Sequence, residues 1–123
     1  MRTKLYPILT AADLSRSLAF YRDLLGYAVT YQFPPDGEPA YVGLRSGESE
    51  LGIGALEPGA APPPAADGRF ALCGYVEDCD EAVRQLREHG VPVLAEPADQ
   101  PWGERMAYVA DPDGNRVMLL QTL

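Results

Sequence analysis

The chain says nearly the same thing twice, and that repetition most constrains its fold. Residues Leu5 to Thr10 read as a strand, and Asp13 follows as a helix N-cap. Leu14, Leu18, Tyr21 and Leu25 then recur at the spacing of one helical face, and Gly26 supplies the stop. Three further strand patterns come next, at Tyr27 to Phe33, Tyr41 to Arg45 and Glu50 to Leu56, the last two joined by Ser46-Gly47-Glu48-Ser49. The second half repeats the order. Phe70 to Val76 reads as a strand, and Asp78 with Glu81 three residues on forms a capping-box pattern. Cys79, Ala82, Val83 and Leu86 make an apolar helix face, and Gly90 ends it. Val91 to Leu94, Met106 to Ala110 and Val117 to Leu120 follow as strands.

The clearest signal lies near the end. Asp111-Pro112-Asp113-Gly114 places Asp, Pro and Gly where a type I turn wants them, between two strand-like runs. The order is therefore βαβββ twice, which predicts an α+β fold. The modules span about 1–56 and 69–123 of a single domain, 1–123. Between them, residues 57–68 (EPGAAPPPAADG) contain three consecutive prolines. Such a run suits neither helix nor ladder, so it reads as an extended surface linker. It serves as a spacer or as a flap over a ligand mouth.

At 123 residues, 46% hydrophobic and 23% charged, the chain is long enough for a core and ordinary in composition. No apolar run approaches a membrane span and no leader pattern opens the chain, so a cytoplasmic protein without membrane partners is expected. The net charge of −8 argues against nucleic acid and is mildly compatible with a cationic ligand. The two cysteines, Cys73 and Cys79, have neither disulfide nor metal-site spacing and read as buried thiols.

The modules, the segment Asp13-Leu14-Ser15-Arg16-Ser17-Leu18-Ala19-Phe20-Tyr21-Arg22-Asp23-Leu24-Leu25-Gly26 and the turn Asp111-Pro112-Asp113-Gly114-Asn115 together resemble the vicinal oxygen chelate superfamily. That group includes glyoxalase I, extradiol dioxygenases and bleomycin resistance proteins. The resemblance implies two modules curled into a cup-shaped half barrel, with helices outside, in a protein that is often a dimer. Its enzymes hold a divalent metal through His or Glu on strands one, four, five and eight. Those positions carry over to Tyr6, Gly52 (or Glu50), about Ala71 and Met118. A catalytic metal needs about three protein ligands, and here only Glu50 has a suitable group. The one histidine, His89, sits in a last helical turn, where a cation suits the helix dipole. No metal and no cofactor are therefore expected.

The loop Gln100-Pro101-Trp102-Gly103 resembles the stretch of bleomycin resistance proteins where a tryptophan precedes the seventh strand. In that branch, drug is bound stoichiometrically in clefts between the subunits of a dimer. The residues expected to touch a ligand follow from period-two alternation. Tyr27, Val29, Tyr31 and Phe33 should share a face, as core or as a stacking wall. Tyr6 and Tyr41 are added from the neighbouring strands. From the second half come Cys73, Tyr75, Met106, Tyr108 and Met118, an apolar and sulfur-rich set suited to flat molecules. Trp102 either caps the ligand by stacking or anchors its own loop. The expected function is metal-independent binding and sequestration of an aromatic or polycyclic natural product by a homodimer, giving resistance or self-resistance. The alternative is a metal-free lyase, isomerase or cyclase of the same fold.

Overall fold

The structure, a computed structural model, describes residues 4–62 and 70–123. It contains two compact units, residues 1–63 and 64–123. Residues 63–68 of the proline-rich linker lie outside the described residues, and with them the question of spacer or flap.

The first unit holds β1 (Ile8–Ala11), α1 (Leu14–Leu18), β2 (Ala28–Phe33), β3 (Tyr41–Ser46) and β4 (Ser49–Ala55). Its sheet has the order β1-β4-β3-β2, with β1 parallel to β4 and the other pairs antiparallel. The Asp13 carboxylate accepts from the Arg16 amide at 3.2 Å, as an N-cap should. After α1 the chain widens into a π-helical segment, Ala19–Leu24. The extra residue per turn rotates the apolar face, so Phe20 and Tyr21 are both buried while Leu25 is only half-buried. Gly26, at φ 82°, ends the segment as expected.

One face of this sheet is core. Val42, Leu44, Leu51 and Ile53 are buried on it, and β4 contacts α1. Register assigns the alternate residues to the other face: Tyr31 opposite Gly43, Phe33 opposite Tyr41, and Gly52 beside Ile8.

The second unit repeats the plan with β5 (Leu72–Tyr75), α2 (Cys79–Glu88), β6 (Val93–Asp99), β7 (Glu104–Ala110) and β8 (Arg116–Thr122), in the sheet order β5-β8-β7-β6. The Asp78 carboxylate accepts from the Glu81 amide at 3.1 Å. Glu81's own carboxylate accepts from Arg84 and Gln85, and the Arg84 hydrogen bonds hold its carboxyl down at about 2. Cys79, Val83 and Leu86 turn inward from α2, while Val109, Val117 and Leu119 are buried on the sheet. Asp111 is buried at the β7–β8 turn. Its carboxylate accepts from the amides of Asp113 and Asn115 and from the Asn115 side chain, and the Gly114 amide closes the turn onto its carbonyl at 3.0 Å.

Three readings need correction. β6 runs on to Asp99, through Pro97, because it is an edge strand where a missing N–H costs no ladder bond. β1 and β5 are shorter than their apolar runs, since Leu5 and Phe70 stand exposed outside them. Cys73 is exposed, and only Cys79 is a buried thiol. No helix among the described residues is long and apolar enough to cross a membrane.

Candidate functional site: an aromatic pocket on the open face of the first sheet

The first unit carries a cavity of about 490 Å³ on its open sheet face. Its walls are Tyr6, Ile8, Tyr31, Phe33 and Tyr41, with Gly43 in the floor and Lys4 and Glu50 as the charged residues lining it. Four expected ligand contacts (Tyr6, Tyr31, Phe33 and Tyr41) are thus brought together. The expected four-residue stripe on β2 is split, however. Register slips between Val29 and Tyr31, leaving Thr30 as the extra residue, so the alternation changes phase there. Tyr31 and Phe33 face the pocket, Val29 lies opposite the core residue Leu44, and Tyr27 stacks on buried Tyr21 with centroids 6.4 Å apart.

Two glycines make room for the aromatic walls. A Cβ on Gly43 would meet the Tyr31 Cβ at 3.3 Å. At Gly52 the constraint is stronger. A Cβ there would lie 2.1 Å from the Tyr41 hydroxyl oxygen and 2.8 Å from Cζ. The Tyr41 ring therefore lies across Gly52, in the space that any side chain at that position would need. Tyr31 meets Tyr41 edge-on, with centroids 6.0 Å apart. The Tyr41 phenol is pushed above its ordinary value, first by burial, then by a hydrogen bond with Tyr6 and by the charge of Glu50. It stays protonated at neutral pH and can donate.

Glu50 anchors the polar end. Lys4 Nζ lies 2.5 Å from one carboxylate oxygen and Arg45 lies 3.6 Å from the other. The Lys4 hydrogen bond and the two positive charges hold the Glu50 carboxyl below the usual range. Lys4 also lies 5.4 Å from the Tyr6 ring centroid. Lys4 carries no signal of its own in the sequence, because its role depends on Glu50 coming across from another strand.

In the second unit, register places Cys73, Tyr75, Met106, Tyr108 and Met118 on one face of its sheet. Cys73 Sγ lies 3.8 Å from Met118 Sδ, and the Arg116 guanidinium stacks on Tyr108 at 4.3 Å. Glu104 went unnoticed in the sequence. Its carboxylate accepts from the Tyr75 hydroxyl at 2.6 Å and from Trp102 Nε1 at 2.9 Å. That bond raises the Tyr75 phenol. Trp102 itself is 60% exposed, so its ring is not a buried anchor.

Residues 5–119 match the Glyoxalase/Bleomycin resistance protein/Dioxygenase superfamily. The chain belongs to this superfamily. It is 32% identical over 124 residues to the "Probable lactoylglutathione lyase" of Synechocystis, covering 96% of this chain and 94% of that one. It is 29% identical over 122 residues to the bleomycin resistance protein of Klebsiella pneumoniae, covering 94% and 89%. Among solved structures, the bleomycin resistance determinant encoded on transposon Tn5 superposes with a TM-score of 0.65 at 27% identity, covering 98% of both chains.

The metal of the family's enzymes can be tested against these side chains. The carried-over positions hold a phenol (Tyr6), no side chain (Gly52) or at most one carboxylate (Glu50), a methyl (Ala71) and a thioether (Met118). At Gly52 the ligand's space is filled by Tyr41. Among the described residues no three His, Cys, Asp or Glu side chains group as a metal would require. The residues do not fit a divalent metal.

Proposed function

We propose that this chain binds an aromatic or polycyclic small molecule without a metal and sequesters it, giving resistance or self-resistance. The two units act as one glyoxalase-like domain, 1–123, which works as a homodimer in the cytoplasm. The reading rests on one observation above others: Tyr41 lies where the family's fourth-strand ligand would be, so a chelating position has become part of an aromatic wall. The bleomycin resistance relatives support the same reading. A cavity of about 490 Å³ suits a drug-sized molecule. On this reading Trp102 offers its exposed face for stacking, and Glu104 holds the ring in place from its edge.

A second reading has its own support. Tyr41 and Tyr6 line this pocket together beside Glu50, and a protonated phenol can act as a general acid. The relative named as a lactoylglutathione lyase points the same way. A metal-free lyase, isomerase or cyclase would use this pair. Native mass spectrometry against an extract of candidate metabolites would find the ligand. Incubation with that compound then separates the readings. Stoichiometric recovery of intact ligand supports sequestration, and multiple turnovers overturn it.

A further inference from the structure

The chain as a whole is strongly acidic, at −8, which favours cationic partners at long range. The first unit's pocket has the opposite local balance. At its polar end the one lining carboxylate, Glu50, is flanked by two cations, Lys4 in the lining and Arg45 just outside it. Glu50 is thus already engaged twice. An ammonium or guanidinium group entering here would have to displace Lys4 or become a third cation around one carboxylate. An anionic group meets a carboxylate already paired with Lys4, within a cluster of two cations and one anion. It also meets phenol O–H donors, since the Tyr41 hydroxyl keeps its proton and lies beside Tyr6. Behind this end, Tyr31, Phe33 and Tyr41 supply the ring faces and edges.

We propose that the pocket takes a planar aromatic ligand bearing an acidic group (a carboxylate, sulfonate or phenolate), with its rings against Tyr31, Phe33 and Tyr41 and its anion against Lys4. Lys4 then sets specificity by charge. This deepens the binding reading above and rests on it. Because Lys4 is largely exposed, its attraction is screened by salt, which gives the idea a signature that simple packing lacks.

The test compares two probes of one shape and opposite charge, naphthoate and naphthyltrimethylammonium, by titration calorimetry on the full chain. The expected result at low salt is about tenfold tighter binding of naphthoate, equivalent to roughly 1.4 kcal/mol. That ratio should shrink toward one in high salt and in Lys4→Gln, whose thermal melt should stay close to that of the parent chain. Arg45→Gln should reduce the ratio less, because Arg45 lies farther from Glu50 and does not line the cavity. Equal or tighter binding of the ammonium probe overturns the charge assignment and leaves the pocket standing as a binding site. An unchanged ratio in Lys4→Gln overturns it as well. If neither probe binds to folded protein, the pocket reading fails and takes this inference with it.

Discussion

Gly52→Ala is the smallest change that probes the arrangement of Tyr41. The new methyl would sit 2.1 Å from the Tyr41 hydroxyl oxygen, 2.8 Å from Cζ and 3.0 Å from Cε2. All three are at the far end of a side chain, so the ring must swing away while the backbone of β4 stays. The ring loses its edge-on contact with Tyr31, worth about 0.5–1.5 kcal/mol. An off-rotamer ring adds roughly 0.5–1.5 kcal/mol. Against this, alanine in a strand interior gains about 0.5–1 kcal/mol over glycine. The net loss is roughly 1 kcal/mol, or about 3–6 °C in melting temperature for a chain of this size. In Tyr41→Ala the obstacle is gone, so adding Gly52→Ala should cost nothing. The double-mutant cycle, read by thermal and chemical denaturation, should therefore show a coupling of about 1–2 kcal/mol. Ligand affinity should fall in Gly52→Ala as the aromatic wall is disturbed. Strictly additive losses would refute the claim that the Tyr41 ring occupies this space.

Trp102→Ala should weaken ligand binding by roughly 2–4 kcal/mol while leaving the melting temperature nearly unchanged, because the ring is mostly exposed. Unchanged affinity in a stable variant would remove Trp102 from the site. Elemental analysis of purified protein should find no stoichiometric divalent ion, and about one Ni, Zn, Fe or Mn per chain would revive the metal-enzyme reading. Light scattering at micromolar concentration should report a homodimer; a monomer that still binds ligand tightly would rule out a cleft shared between subunits. Tyr41 and Tyr75 both have phenols raised above their ordinary value, Tyr41 by burial and Tyr75 by the Glu104 hydrogen bond. Their folded pKa values exceed the unfolded one, so the stability they contribute is complete below about pH 10 and is lost as pH rises through the folded values. Phenolate absorbance should therefore appear later in the folded protein than in denatured chain, and Tyr75→Phe should remove part of that delay.

Much of the fold was legible because its signals are local. Asp13, Asp78, Gly26 and Gly90 act within a few residues of themselves, and the Asp111–Asn115 turn closes through its own side chains. What escaped depends on groups far apart in sequence. The slip at Thr30 reverses the facing of Tyr27 and Val29, and no alternation rule registers an inserted residue. The π-helical turn burying Phe20 breaks a 3.6-residue period in the same way. Tyr6, Tyr31, Phe33 and Tyr41 could be picked out as aromatic candidates in the sequence. That Tyr41 lies over Gly52 required knowing that β3 and β4 pair with Gly43 opposite Gly52. Lys4 and Glu104 were invisible for a similar reason: each matters through a partner brought to it by the sheet.

The slip at Thr30 also bears on how the molecule avoids self-association into fibres. β2 and β6 are the outer antiparallel strands of their sheets, and each carries a register irregularity. On β6 the irregular stretch also contains Pro97, with Glu96 just before it and Asp99 two residues after. An incoming strand needs an unbroken row of amides and carbonyls to template on, and neither of these borders offers one. Both halves of the repeat thus blunt the same border, by different residues. Along β2, one of these two borders, the chain can display Tyr31 and Phe33 to solvent without offering a regular edge to a second copy. At these two borders, pairing of copies is left to side-chain surfaces, where complementarity can be selective.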